Sequence, residues 1–384
     1  MNFNSFCVAS CSILAVGCLS SSGGSGGSGG AFATGDGVGG EFSTPQDTDS
    51  STASTDGTTP DANSTDAAAT ETASADTVTT PNDKTVAGCP DGQFSETPAN
   101  PAGDIKSLVA AFTPASALTF IDQALGVRYP LGQFLLVEGA KTKMGGGKNC
   151  VDAFFQAAQG STAAGALSQA STLVHECGHL YDIGKSGAAR MYFINEKIQF
   201  LCTGLSYQGT NKSFARSLIK NDAYGAAWPA CANFGMQGCD GYAPIYLNGN
   251  PSDTKFESGD QGYDMLLEEV TQYVNSLATD FAFASQSQFS TSAEDGILTF
   301  LWYMTRYLHM ARLDYPSTYK YMSENECWRR ATLTIWGRAW FYLQKTKGNA
   351  KLNLKGKMLR GLVDHPDLLD EIARLRQIEG CLVP

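Results

Sequence analysis

His175 and His179 stand four residues apart, with Glu176 directly after the first, in the run Thr172-Leu173-Val174-His175-Glu176-Cys177-Gly178-His179-Leu180-Tyr181. On a helix, residues at i and i+4 lie one turn above each other, so both imidazoles would face one point. Zinc accepts two neutral imidazoles, takes a third protein ligand and keeps one position for water. Glu176 would emerge beside the first histidine, where a carboxylate can take a proton from that water and pass it to a leaving amine. The two inner positions are uncharged, Leu180 and Tyr181 follow, and two of the four histidines in the chain fall inside this motif. The bland alternative is a pair of helix histidines that hold no metal.

These ten residues resemble the zincin superfamily of metallopeptidases. The resemblance implies a sheet whose edge strand lines the substrate cleft, with the motif helix packed against it; Leu135–Glu138 lies upstream, where such a strand is expected. Zincins with a third histidine carry it within six residues of the motif. Here Asp182 follows His179 by three and Lys185 by six, so the third ligand must come from elsewhere. Downstream, Met265–Val274 places Glu268 and Glu269 on an amphipathic helix, which is similar to gluzincins, where a glutamate on a later helix completes the site. The apolar stripe runs through Leu266, Val270, Tyr273, Val274 and Leu277; Glu269 borders it and Glu268 points nearly opposite. Glu269 is therefore the expected third ligand, with Glu268 or another residue left open, and solvated carboxylates as the bland reading. Tyr273, one turn beyond Glu269, and His309 are candidate hydrogen-bond donors to a tetrahedral oxyanion. Each is also readable as a plain core or groove residue, and His309 as a third ligand. Asp182 could orient His179 from behind, and His365 reads as a loop or helix-cap residue. Cys89-Pro90-Asp91 only faintly resembles the thiolate switches that silence some zincins.

The elements that must position these groups are mainly helical. Apolar spacing predicts helices over Ser107–Leu125, Ala163–Ile183, Arg190–Phe200, Gly262–Leu277, Asp295–Leu313 and Glu324–Gln344, the second ending near Gly184. Gln133–Glu138 reads as a buried strand and Pro244–Leu247 as a possible short one. The expected fold class is α+β, a mainly helical zincin-like domain with a small sheet. The Gly-Gly-Gly-Lys of the loop 141–148 is not a phosphate loop, because the first glycine is missing and Asn149 stands where Ser or Thr should be.

Composition divides the chain into three. Residues 1–18 carry no charged side chain and include a short apolar run suited to a signal peptide. Leu14-Ala15-Val16-Gly17-Cys18 resembles the lipobox of bacterial lipoproteins, which implies an anchor at Cys18; an ordinary secretory signal is the alternative. Residues 19–88 are almost wholly Ser, Thr, Gly, Ala and Asp, too poor in apolar surface to offset the entropy of ordering them, and read as a disordered tether. They hold eight Asp, two Glu and one Lys, which accounts for nine of the eleven net negative charges. Residues 89–384, the expected catalytic domain, are thus nearly neutral, and nothing in them suggests a nucleic-acid surface. Eight of the eleven cysteines lie there, an even number that reads as up to four disulfides in an exported chain, with Cys231 and Cys239 as the likeliest local pair.

The expected function is an exported zinc metallopeptidase acting on protein or peptide substrates. Membrane contact would come only through the lipid anchor. A non-catalytic surface binding protein and a zinc hydrolase of non-protein amides are the alternatives.

Overall fold

The computed structural model describes residues 84–205, 213–225, 240–248, 261–287 and 290–382. Within them the fold is mainly helical with one two-stranded antiparallel sheet, an α+β arrangement. In chain order we label α1 Ala117–Arg128, α2 Pro130–Gly139, α3 Cys150–Phe154, α4 Ala170–Ser186, β1 Arg190–Asn195, β2 Ile198–Cys202, α5 Ala243–Tyr246, α6 Tyr263–Phe283, α7 Ala293–Asp314, α8 Pro316–Glu324, α9 Glu326–Lys345, α10 Gly356–Val363 and α11 Pro366–Glu379.

The centre of the fold is α6. It packs against the motif helix α4, against α7 and against α9, and every residue from Tyr263 to Thr279 is buried. The three long C-terminal helices match their expected spans closely, and α6 runs six residues further than the apolar pattern suggested.

Several expectations are corrected. Gln133–Glu138 is not a strand but part of α2, which opens on Pro130, a residue whose fixed φ suits a first helical turn. Its buried positions Gly132, Leu135, Leu136 and Gly139 follow a helical period, which a six-residue apolar run alone cannot distinguish from a buried strand. The absence of a side chain at Gly139 lets α2 touch α4 backbone to backbone, since a Cβ there would lie 1.9 Å from the Cys177 carbonyl oxygen. The edge strand that the zincin resemblance placed upstream is therefore a helix.

Arg190–Phe200, expected as a helix, is instead the hairpin β1–β2, with Tyr192 opposite Phe200 and Arg190 opposite Cys202. Met191 to Ile194 are all buried, so β1 shows no alternation by which it could be told from a helix. Asn195 shapes the turn, its Oδ1 accepting from the backbone N–H groups of Lys197 and Ile198 at 2.9 and 3.0 Å. Pro244–Leu247 is not a strand, since it falls mostly in the short helix α5. Ser107–Leu125 is broken at Pro114, with a short helix Lys106–Ala110 before it and α1 after. Ala163–Ile183 is broken too, into Ala163–Leu167 and α4. Gln169 sits at the break, its side chain engaging the backbone N–H and C=O of Gln156. α4 runs past Gly184, where lack of a Cβ admits Thr142, and stops at Gly187 with φ +54°.

Among the described residues three disulfides join Cys89 to Cys381, Cys150 to Cys177 and Cys202 to Cys327. Cys231 and Cys239 lie outside the described residues. Such bonds persist in an oxidising, extracytoplasmic environment. Cys89 is thus a bridging sulfur, which removes it as a thiolate switch. Residues 84–88, assigned to the tether by composition, are held against the body. The Lys84 carbonyl accepts from Trp336 Nε1 at 2.6 Å and from Arg376 at 2.7 Å, and its ammonium pairs with Asp364. Among the described residues no helix is long and apolar enough to cross a membrane.

Candidate metal centre

The motif falls mid-helix in α4, so His175 and His179 project from one face toward α6. Their Nε2 atoms are 3.1 Å apart, and Glu269 Oε2 on α6 lies 3.7 and 3.6 Å from them. Ligand atoms about 2.0–2.1 Å from a tetrahedral zinc are about 3.3 Å from one another. The triangle has that size. These three residues, all buried, can hold a metal ion.

What stands behind the triangle fixes its chemistry. Glu268 Oε1 accepts from His179 Nδ1 at 2.9 Å, and His175 Nδ1 is hydrogen-bonded to Ser276 Oγ at 3.0 Å. With Nδ1 of His179 donating to a carboxylate, its Nε2 is left to present a lone pair inward, the tautomer a metal requires. Glu269 Oε2 is buried and has no hydrogen-bond partner among the described residues, a costly state for a carboxylate oxygen unless a cation satisfies it. The donor set of two imidazoles and one carboxylate suits zinc or a neighbouring divalent transition ion.

Electrostatics favour a positive charge at the same place, carried by a proton on His179 or by a metal ion in its stead. Burial lowers the proton affinity of His179, but Glu269 and Glu268 raise it by more, to well above the usual imidazole range. Burial pushes Glu269 up, while His179 and His175 pull it far below the usual carboxylate range. The group thus favours a positive charge at its middle. Glu176, only 3 % exposed, is raised by burial against the pull of His175 and His179, with Glu269 adding to the rise. A carboxylate made more basic in this way is suited to accept a proton.

The other expected residues separate. Tyr273 is at the cluster, its ring meeting that of His175 edge to face at 4.9 Å and backed by Phe300 and by Gly296, where a Cβ would strike the ring. His309 is placed elsewhere: its Nδ1 pairs with Glu371 at 3.0 Å and its ring meets Tyr224, so it supplies neither ligand nor donor at the cluster. His365 is the residue immediately before α11. Asp182 feels the charge of His179 but its hydrogen bonds go elsewhere, from the Phe193 N–H and from Gln272 Nε2. The orienting role belongs to Glu268, which the apolar stripe had turned toward solvent and which is fully buried. Tyr246 was missed altogether. Its hydroxyl lies 3.4 Å from that of Tyr273, its backbone oxygen is gripped by Arg216 Nε at 2.7 Å, and it feels the charges of both Glu269 and Glu176. No local signal marks it, because α5 reaches the cluster only through the tertiary fold.

The Cys150–Cys177 bond ties α3 to the motif helix between its two histidines. Replacing both cysteines by alanine should cost about 2–4 kcal/mol, read as a lower midpoint in denaturant melts. An unchanged midpoint would show that helix packing alone holds α4.

Comparison with protein-family models, with curated proteins and with solved structures gives no match to this chain.

Proposed function

We propose that the chain is a zinc-dependent peptidase. The observation that carries the reading is the buried triangle of His175 Nε2, His179 Nε2 and Glu269 Oε2 with Glu176 of the same helix as the histidines beside it. A zinc ion held there would polarise a scissile carbonyl and acidify a water. Glu176 takes the proton of the attacking water and returns it to the departing amine. Glu268 and Ser276 keep the two imidazoles aimed. Tyr246 and Tyr273 offer hydroxyls that burial holds protonated well above their usual range, so they remain donors to a developing oxyanion at neutral pH.

The two hydroxyls lie 3.4 Å apart, and Tyr246 is favoured as the donor because it feels the charges of both Glu269 and Glu176. Tyr246→Phe should lower kcat by about 10²–10³-fold, with KM and zinc content near wild type. An unaltered kcat would remove Tyr246 from the reaction.

The disulfides support an enzyme working outside the cytoplasm. The resemblance of Leu14–Cys18 to a lipobox is the ground for proposing a lipid-anchored form. The test is direct. The full chain, loaded with zinc, is incubated with a mixed library of quenched fluorescent peptides and, separately, with cell-wall muropeptides. Chelator-sensitive cleavage of the library is expected. Cleavage of muropeptides alone would move the substrate to non-protein amides, and no cleavage by zinc-loaded protein would favour a binding role.

A further inference from the structure

Gly178 is the only glycine inside the motif, and the reason lies on another helix. A Cβ built on Gly178 would sit 2.0 Å from Gln272 Oε1, so α4 is opened at this point to admit the Gln272 carboxamide. That carboxamide is fixed at both ends. Its oxygen accepts from Asn275 Nδ2 at 2.8 Å, and its nitrogen donates to Glu268 Oε1 and to Asp182 Oδ2, each at 3.2 Å. Glu268 Oε1 is the same atom that accepts from His179 Nδ1. Among the described residues Glu268 Oε2 has no partner, so His179 and Gln272 supply the hydrogen bonds to this fully buried carboxylate. Asn275 is anchored in turn, its oxygen accepting from Tyr129 Oη at 3.1 Å and from Arg338 at 2.8 Å. Arg338 is itself paired with Glu96 at 3.2 Å. A continuous buried polar seam therefore runs from Glu96 through Arg338, Asn275, Gln272 and Glu268 to the metal-facing imidazole of His179.

We propose that Gln272 is a positioning residue for the metal centre: its amide aims the Glu268 carboxylate, and through it the His179 Nε2 lone pair, and so sets metal affinity. The inference rests on the metal reading of the site and not on peptide hydrolysis. One N–H₂ group bridges two buried carboxylates that would otherwise repel each other, and it fixes the direction from which Glu268 approaches His179. Without it Glu268 keeps His179 as its remaining donor and is free to turn away from Asp182, taking the imidazole with it. Outer partners of this kind are typically worth about 10–100-fold in metal affinity.

The test is a competition titration with a chromogenic zinc chelator on the full-length wild type, Gln272→Met and Gly178→Ala. Gln272→Met keeps the length and packing of the side chain but donates no hydrogen bond; Gly178→Ala pushes the amide aside from the opposite helix. Both should raise the zinc Kd by about 10–100-fold. In the metal-free proteins, imidazole ¹H–¹⁵N spectra should show the His179 Nδ1–H signal shifted from its wild-type position. A folded Gln272→Met or Gly178→Ala with wild-type zinc affinity, whatever its melting temperature, would overturn the proposal while leaving the metal site standing. A wild type that takes up no zinc would remove both.

Discussion

Glu176→Gln should reduce peptide hydrolysis by about 10²–10⁴-fold while leaving zinc content and melting temperature at wild-type values. Glu176 is buried and shares the field of His175, His179 and Glu269, yet it is not one of the three atoms that form the metal triangle. The amide of glutamine fills nearly the same space and cannot accept the proton. Burial and Glu269 disfavour a charged Glu176 against the pull of His175 and His179, so a neutral residue of the same shape is expected to be tolerated by the fold. Loss of zinc together with activity would mean that Glu176 helps to hold the ion. Hydrolysis at the wild-type rate would remove it as the base.

Stripping the metal should destabilise the protein strongly and reversibly. The triangle brings two imidazole nitrogens together in a buried place with a carboxylate oxygen that has no hydrogen-bond partner among the described residues. A cation there satisfies all three. Free zinc at a thousand times its Kd stabilises a folded protein by about 4 kcal/mol, and in a domain of this size each kcal/mol moves the melting temperature by about 2–4 °C. Dialysis against a chelator should therefore lower the melting temperature by about 8–16 °C, and added zinc should restore it. Melts that superimpose with and without chelator would mean that no ion contributes to the folded state. Glu269→Gln should show the smaller melting temperature even with zinc present.

The grouping of His175, His179 and Glu269 was more legible in the sequence than the scaffold around it. His175, Glu176 and His179 are legible because the i, i+4 spacing is a local fact of helix geometry, and the helix did form there. Glu269 was reachable by helical phase. The same phase argument misplaced Glu268, because it assumed that α6 has a solvent face. α6 is surrounded by other helices, so the polar positions Glu268, Gln272, Asn275 and Thr279 form a buried seam and not a wet surface. On paper such a stripe looks the same in either setting. The sheet was misplaced for a related reason. Met191 to Ile194 are buried throughout, and Leu135 and Leu136 are an apolar pair, so neither segment carried the alternation that separates strand from helix. Tyr246 and the Cys150–Cys177 bond depend on contacts between elements far apart in the chain, which spacing does not encode.

The measurement that tests the metal centre most directly is zinc by elemental analysis on the full-length protein, purified without chelator, wild type beside Glu269→Ala. One zinc per chain in the wild type, and its loss from a still-folded Glu269→Ala, is the expected result. A folded wild type without zinc, or a Glu269→Ala variant that retains it in full, would contradict the assignment of His175, His179 and Glu269 as the ligands.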